Sequence, residues 1–97
     1  HIGSQLTSLA PFKAAFLRAR DFLGELRAAG HAIETLDIGG GLGVPYHEGI
    51  NPPSPAEYGA LVREVFAGVD AKLILEPGRL IAGNAGVLVS KVIYVKQ

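Results

Sequence analysis

Three short runs of the sequence carry residue types that could do chemistry together. The first is His1-Ile2-Gly3-Ser4, the second is Gly39-Gly40-Gly41-Leu42-Gly43, and the third is Glu76-Pro77-Gly78-Arg79. They offer an imidazole and a hydroxyl, a turn almost without side chains, and a carboxylate close to a guanidinium. Each run ends an apolar stretch, and the spacing between them is about 35 residues, the length of one strand–helix–strand unit.

Two amphipathic helices are predicted between these runs. Apolar residues recur at helical spacing over residues 11–29, and Gly30 suits the position just past the end of a helix. A second helix is predicted to begin at a capping box, in which Ser54 and Glu57 bond each other's backbone N–H groups, and to end at Gly68. Helices in these places would connect strands that run in the same direction.

Short apolar runs predict the strands. His1–Ser4 is interpreted as the tail of one strand, and Ile33–Ile38 and Lys72–Leu75 as two more. Gly43–Pro53 is predicted to be a loop, and the β-branched run Val87–Val95 to be an antiparallel strand. Strands that alternate with helices indicate a parallel sheet, so the three motifs should meet at its C-terminal edge, where such folds bind ligands.

The glycine run has two interpretations. Without Cβ atoms, several backbone N–H groups can approach an anion, which favours a phosphate-binding turn. A flexible connection explains the glycines equally well, since the spacing is not that of a Walker loop and the lysine of that loop is missing. A dinucleotide fingerprint is excluded because Pro45 and a loop follow the glycines instead of a helix.

Glu76 ends an apolar strand, where an isolated carboxylate is costly to desolvate. One interpretation is a structural ion pair with Arg79. The other is that Glu76 keeps a pyridine nitrogen protonated, so that the ring takes up electrons, while Arg79 binds a phosphate or a carboxylate at two points.

His1 and Ser4 are ambiguous, because Gly3-Ser4 at a chain start also resembles a tag or cloning remnant. If they are native, the imidazole could lie flat on a cofactor ring and the hydroxyl of Ser4 could donate to a phosphate. Together, the three runs supply the groups needed around a phosphorylated, nitrogen-containing aromatic cofactor such as pyridoxal 5'-phosphate.

Composition narrows the classes of partner. The 97 residues carry nine basic and nine acidic side chains, so there is no electrostatic reason to expect nucleic acid or an anionic membrane. No stretch is long enough to span a bilayer. The absence of cysteine excludes disulfides and thiolate metal sites, and no metal is expected. We expect a cytoplasmic protein, and a chain that begins in mid-motif without methionine indicates an excerpt of a longer one.

The chain resembles the fold-type III pyridoxal-phosphate decarboxylases, and among them the diaminopimelate decarboxylases. The resemblance rests on residues 1–12, Leu36–Tyr46 and Glu76–Arg79 in this order and covers essentially the whole chain. It implies an α/β fold in which residues 1–85 form about three βα units of a (β/α)8 TIM-type barrel that binds pyridoxal phosphate. Residues 86–97 would begin the first strand of a C-terminal β domain.

The resemblance also implies roles for the motif residues. His1 would stack on the cofactor ring, Glu76 would pair with the pyridine nitrogen, and these two are the candidate catalytic residues. Arg79 would contact the phosphate region and the substrate carboxylate. The cofactor-binding candidates are Ser4, Gly39, Gly40, Gly41, Glu76, Pro77, Gly78 and Arg79.

The implied reaction is the decarboxylation of meso-2,6-diaminopimelate to L-lysine and CO2, the last step of lysine biosynthesis, in a homodimer that shares its active sites. Alternatives are a related decarboxylase for arginine, ornithine or a carboxylated polyamine, and a non-catalytic regulatory relative, which would not need both Glu76 and Arg79. A plain phosphate-binding barrel fragment leaves Glu76 unexplained. No lysine of the chain matches the family's cofactor-linking lysine, so the excerpt alone is expected to be inactive.

Overall fold

The computed structural model describes residues 1–96, in which three helices alternate with two short strands. Their order is α1 (Ala10–Ala28), β1 (Thr35–Asp37), α2 (Pro55–Val65), β2 (Lys72–Ile74) and α3 (Gly78–Ala82). None of the helices in this part of the chain combines the length and the apolar character that crossing a membrane requires.

Helix α1 confirms the predicted helix over residues 11–29 with its bounds moved by one residue. It ends where Gly30 adopts a φ of +94°, a left-handed conformation that residues with a Cβ rarely adopt. The N–H of Gly30 donates to the carbonyl of Arg27 at 3.0 Å, and the N–H of His31 donates to the carbonyl of Leu26 at 3.1 Å. These bonds use carbonyl groups that the end of a helix leaves without intrahelical partners.

Helix α2 begins with the predicted capping box. The hydroxyl of Ser54 accepts from the N–H of Glu57 at 3.2 Å, and the Glu57 carboxylate accepts from the N–H of Ser54 at 2.8 Å. Hydrogen bonds from the Ser54 hydroxyl and then from its backbone N–H lower the pKa of Glu57. The helix ends at Val65, three residues before Gly68, because the chain already leaves helical geometry at Phe66.

Strands β1 and β2 pair in parallel, as predicted, and both are shorter than the apolar runs that predicted them. Leu36 lies opposite Leu73 in the middle of the pairing. Backbone hydrogen bonds continue the contact beyond the strands, from Ile38 N–H to the carbonyl of Ile74 at 3.0 Å and from Glu76 N–H to the carbonyl of Gly39 at 2.9 Å. The two strands therefore run side by side into the loops that carry the second and third motifs.

His1–Ser4 forms no strand, so the interpretation of these residues as a strand tail is wrong; one parallel bridge, between Leu6 and Leu42, follows them. Positive φ angles at Gly3 (+143°) and Gln5 (+57°) turn the backbone out of the extended conformation that a longer ladder requires.

The core lies between α1 and α2. Phe12, Phe16 and Tyr58 stack in edge and tilted geometries, with centroid separations of 5.1 Å between Phe12 and Tyr58 and 5.8 Å between Phe16 and Tyr58. The remaining members of the buried cluster are Leu42, Leu61, Val62, Val65 and Phe66. Leu36 of β1 and Leu73 of β2 pack against this cluster, so the helix pair covers one face of the short sheet.

The C-terminal segment differs from its prediction. Residues 87–96 form neither helix nor strand, and side chains such as Leu88 and Ile93 are more than nine-tenths exposed. A strand needs a neighbour for its backbone groups, and within residues 1–96 the strand pairings do not include this segment. The strand predicted at Val87–Val95 is therefore not confirmed, and the domain boundary after residue 85 stays a prediction.

Candidate active site

Backbone hydrogen bonds join the three motifs at one edge of the sheet. The N–H of Leu6 donates to the carbonyl of Gly41 at 2.9 Å, and the N–H of Gly43 donates back to the carbonyl of Leu6 at 3.0 Å. On the other side, Glu76 donates its N–H to Gly39 at 2.9 Å. The central glycine run is thus bonded to the third motif and to Leu6, two residues after the first motif, and the three motifs lie together as predicted.

The glycines are needed because backbones approach closely here. A Cβ on Gly40 would lie 1.9 Å from the carbonyl oxygen of Glu76, and one on Gly41 would lie 2.2 Å from the carbonyl oxygen of Gly3. Gly41 also has a φ of +105°. The interpretation of this run as a flexible turn is therefore wrong, since its glycines are packed and its first N–H is held by the carboxylate of Asp37 at 2.8 Å.

A cavity of about 460 Å³ opens between the three motifs. Of the predicted site residues, six contribute to its wall, and they come from all three motifs. Gly39, Gly40 and Pro77 instead border a smaller cavity of about 220 Å³ beside Tyr58 of α2. The polar side chains around the larger cavity are His1, Ser4, Gln5, Tyr46, Glu76 and Arg79.

Arg79 is positioned by α3, an element that the sequence analysis missed. The helix begins at Gly78, directly after the turn at Pro77, and carries Arg79 in its first turn at the wall of the cavity. The guanidinium Nη1 donates to Oε1 of Gln5 at 3.3 Å, and its carbon lies 5.8 Å from the centre of the Tyr46 ring. The second contact is within the range of a cation–π interaction.

Glu76 and Arg79 do not form the structural ion pair that was one interpretation of the third motif. Within residues 1–96 the ion pairs are Lys13–Glu64 and Arg20–Asp21, both on the surface. Glu76 is exposed, Arg79 is half-buried, and both border the same cavity. The cavity therefore presents a carboxyl group and a guanidinium group that do not neutralise each other by contact.

Gln5 is the functional candidate that the sequence analysis missed. Its amide Nε2 donates to the carbonyl of Val44 at 2.5 Å, while its Oε1 accepts from the N–H of Val44 at 3.2 Å and from Arg79. Its place directly after the first motif was the one available signal. Its φ of +57° could not be expected from the sequence, because glutamine rarely adopts that conformation.

The arrangement suits a ligand with an anionic group and an aromatic nitrogen heterocycle. The guanidinium of Arg79 can bind a phosphate or carboxylate with two parallel N–H donors. The carboxyl group of Glu76 can hydrogen-bond a ring nitrogen, and His1, an exposed residue of the cavity wall, carries a flat imidazole. These are the groups expected around pyridoxal phosphate.

Comparison with known proteins bears out the resemblance. A family model described as the pyridoxal-binding domain of pyridoxal-dependent decarboxylases matches residues 1–83. The chain belongs to this decarboxylase family. Because the match includes His1–Ser4, the interpretation of that segment as a tag remnant is wrong.

Individual relatives agree with the family. The diaminopimelate decarboxylase of Zymomonas mobilis is 53% identical over 98 residues, covering 100% of this chain and 23% of that protein. The corresponding enzyme of Aquifex aeolicus is 41% identical over 97 residues, again covering 100% of this chain and 23% of the relative. The chain thus spans about a quarter of the length of the curated relatives that it matches.

Solved structures share the fold of the chain. The crystal structure of Helicobacter pylori diaminopimelate decarboxylase complexed with L-lysine superposes with a TM-score of 0.77 and 36% sequence identity, covering 84% of this chain and 20% of that one. The α/β architecture is therefore that of the pyridoxal-binding region of these decarboxylases.

Proposed function

We propose that this chain is the cofactor-binding segment of a diaminopimelate decarboxylase, which converts meso-2,6-diaminopimelate to L-lysine and CO2. The observation that carries the proposal is the convergence of Glu76, Arg79 and the glycine run on one cavity. The relatives at 41–53% identity that carry the name of this enzyme support the substrate.

The residues around the cavity fit pyridoxal phosphate. A volume of about 460 Å³ lies within the range of small-molecule sites. Gly41 lies in the cavity wall, and its N–H has no acceptor among residues 1–96, so it is available to a phosphate oxygen. Ser4 and Arg79 add a hydroxyl and a guanidinium to the same wall.

When it is bound, pyridoxal phosphate supplies an electron-withdrawing ring for the electron pair left behind by CO2. In this proposal Glu76 holds a proton on the pyridine nitrogen, which makes the ring a stronger electron acceptor. His1 would stack against the ring face. Arg79 would bind the carboxylate of the substrate or the phosphate of the cofactor, so the chain would hold the ligand at more than one point.

The remaining parts of the function are proposals of the same kind. A homodimer that completes the active site and a cytoplasmic location stay predictions from the sequence and its resemblance. A related decarboxylase for arginine, ornithine or a carboxylated polyamine would share the cofactor-binding groups. A substrate assay distinguishes such an enzyme from a diaminopimelate decarboxylase.

The assay uses the full-length protein that carries this segment, supplied with pyridoxal phosphate. We expect CO2 release and L-lysine formation from meso-diaminopimelate, with no CO2 from ornithine, arginine or a carboxylated polyamine. A preference for any of these three compounds would contradict the proposed substrate. A folded protein that binds the cofactor and decarboxylates none of the four compounds would be a regulatory relative.

A segment exchange separates the contribution of this chain from that of the rest of the protein. In the exchange, this chain replaces the aligned segment of the Zymomonas mobilis enzyme, with which it shares 53% identity. We expect the hybrid to form L-lysine. A folded hybrid without activity would contradict the assignment of a cofactor-binding role to this segment.

Glu76→Gln in the full-length protein tests the role of the carboxylate. An amide is a much weaker partner for a protonated pyridine nitrogen, so we expect kcat to fall by about a hundredfold while the dissociation constant of pyridoxal phosphate changes by less than about threefold. Unchanged kcat would overturn the assignment. Fluorescence titration of the cofactor and steady-state kinetics give the two numbers.

A further inference from the structure

We propose that Gln5 is a positioning residue that holds the Arg79 guanidinium at the cavity wall without neutralising its charge. The inference rests on the proposed function, because it concerns the group that would bind the anionic part of the cofactor or of the substrate. It adds Gln5 to the site residues and gives a physical reason why this position carries a neutral amide.

The backbone at Gln5 is held in an unfavourable conformation. Among residues 1–96 it is the one non-glycine residue with a positive φ, at +57°. Such strain persists only where surrounding contacts enforce it, and it is concentrated at functional sites. Here the enforcing contact is a two-point pairing of the side-chain amide with the N–H and carbonyl of Val44, which lies 39 residues away in the chain.

This pairing determines which way the amide faces. Because Nε2 donates to the Val44 carbonyl, Oε1 is the atom that accepts from the Val44 N–H and also from Nη1 of Arg79 at 3.3 Å. The Tyr46 ring, 5.8 Å from the guanidinium carbon, contacts the same group. Arg79 thus contacts the segments that follow the other two motifs, through Gln5 after the first and through Tyr46 after the glycines.

The neutral amide matters as much as its geometry. A glutamate at this position could also accept from Arg79, but its charge would compete with an incoming anion for the guanidinium. A glutamine uses one of the five N–H donors of arginine and leaves the positive charge uncompensated. We infer that the ligand group is an oxyanion, either the carboxylate of the amino-acid substrate or the phosphate of the cofactor.

The experiment measures binding in the full-length protein with two variants. Gln5→Met keeps the length of the side chain and removes both hydrogen-bonding groups, and Gln5→Glu keeps an acceptor and adds a charge. The dissociation constants of L-lysine (in the holoenzyme, by calorimetry) and of pyridoxal phosphate (by fluorescence, in protein stripped of cofactor) report on the carboxylate and the phosphate separately. We expect each variant to raise one of these constants, or both, by about tenfold.

The matched control is Ser54→Ala, which removes the side-chain cap of α2 at a residue that does not border the cavity of about 460 Å³. It should lower stability in urea and leave both dissociation constants unchanged. If Gln5 had a merely structural role, its variants would behave like Ser54→Ala, with lower stability and unchanged binding. That result overturns the proposal.

The two proposals fail in different ways. A wild-type protein that binds pyridoxal phosphate and forms no L-lysine from meso-diaminopimelate overturns the proposed substrate, and the cofactor measurement then tests Gln5. A wild-type protein with full activity whose Gln5 variants bind both ligands normally overturns the role of Gln5 alone. A raised constant in Gln5→Met with normal binding in Gln5→Glu contradicts the argument about charge.

Discussion

Two regions of the molecule are held together in opposite ways: the helix pair, which is α1 with α2, and the loop edge, which is the set of loops that carry the three motifs. Between α1 and α2, large side chains such as Phe12, Phe16 and Tyr58 fill the space, and their faces meet without a buried charge. Burial raises the pKa of the Tyr58 hydroxyl, so the one ionisable group of this cluster stays neutral. At the loop edge, glycines bring backbones together, and the polar side chains border a cavity.

The helix pair therefore provides stability, whereas the loop edge determines the positions of the site residues. The helix pair gains its free energy from apolar area, which is large and tolerant of small shifts. The loop edge has little apolar area to bury, and its geometry depends on a few short backbone contacts such as Leu6 with Gly41 and Gly39 with Glu76. A substitution in the first region should therefore change stability alone, and one in the second should change binding, with or without a loss of stability.

The largest expected effect lies in the helix pair. Phe16→Ala removes a ring that is 2% exposed and contacts Phe12, Tyr58 and Phe66. We expect the free energy of unfolding of the full-length protein to fall by about 4 kcal/mol, with the KM of the remaining folded enzyme unchanged. Urea unfolding and steady-state kinetics measure the two effects.

Phe22→Ala is the matched control, since that ring on the same helix is 59% exposed. It should cost less than about 1 kcal/mol. An equal loss of stability in both variants would contradict the conclusion that Phe16 lies on the buried face of α1 and Phe22 on its exposed face.

The next effect in size lies at the loop edge. Gly40→Ala places a methyl group 1.9 Å from the carbonyl oxygen of Glu76, so that strand end must move. We expect a loss of about 3 kcal/mol in the free energy of unfolding and, unlike in Phe16→Ala, weaker binding of pyridoxal phosphate. Urea unfolding and cofactor titration detect both.

Gly24→Ala on α1 is its control, because a Cβ there meets no atom within 4 Å. A methyl group at this helical position should stabilise the protein by about 0.5–1 kcal/mol and leave cofactor binding unchanged. Normal cofactor binding in Gly40→Ala would show that the close approach to Glu76 does not matter for the site.

The sequence predicted the helix pair and the meeting of the motifs because both follow from local patterns. Helical spacing, the Ser54–Glu57 capping box and the glycine after α1 are each visible within a few residues. The parallel pairing of β1 with β2 then follows from strands that alternate with helices. The helices and the parallel pairing are enough to predict that the three motifs meet, and no side-chain contact has to be known.

The details that were missed depend on contacts between distant residues. The left-handed conformation of Gln5 is held by hydrogen bonds to Val44, and no local sequence pattern predicts it. Helix α3 was overlooked because Pro77 and Gly78 are typical of a turn, and five residues are too few for a periodic signal. The strand predicted for Val87–Val95 has suitable residue types, but strand formation also requires a neighbouring strand.

A smaller effect is expected at Tyr46, whose ring is half exposed beside Arg79. Tyr46→Leu removes the cation–π contact, and we expect the dissociation constant of L-lysine to rise by about threefold, with no measurable loss of stability. Tyr46→Phe keeps the ring and should bind L-lysine normally. Loss of binding in the phenylalanine variant as well would assign the effect to the hydroxyl group instead.

The smallest effect belongs to the cap of α2 and depends on pH. The pKa of Glu57 is lowered in the folded protein, so its ionised form stabilises the fold at pH values above the ordinary value of 4.5. This contribution is lost as the pH falls through the lowered pKa. Relative to wild type, Glu57→Gln should therefore be slightly less stable at pH 7 and approach equal stability in acid.

Urea unfolding of both proteins at several pH values measures this difference. Because Ser54 is the source of the shift, the same substitution made in a Ser54→Ala background should lose its pH dependence. A pH-dependent difference that persists without Ser54 would mean that another charge acts on Glu57. The stability of the helix pair would then be coupled to charges outside its cap, and the separation between an apolar, pH-insensitive region and a polar binding edge would be weaker than the packing indicates.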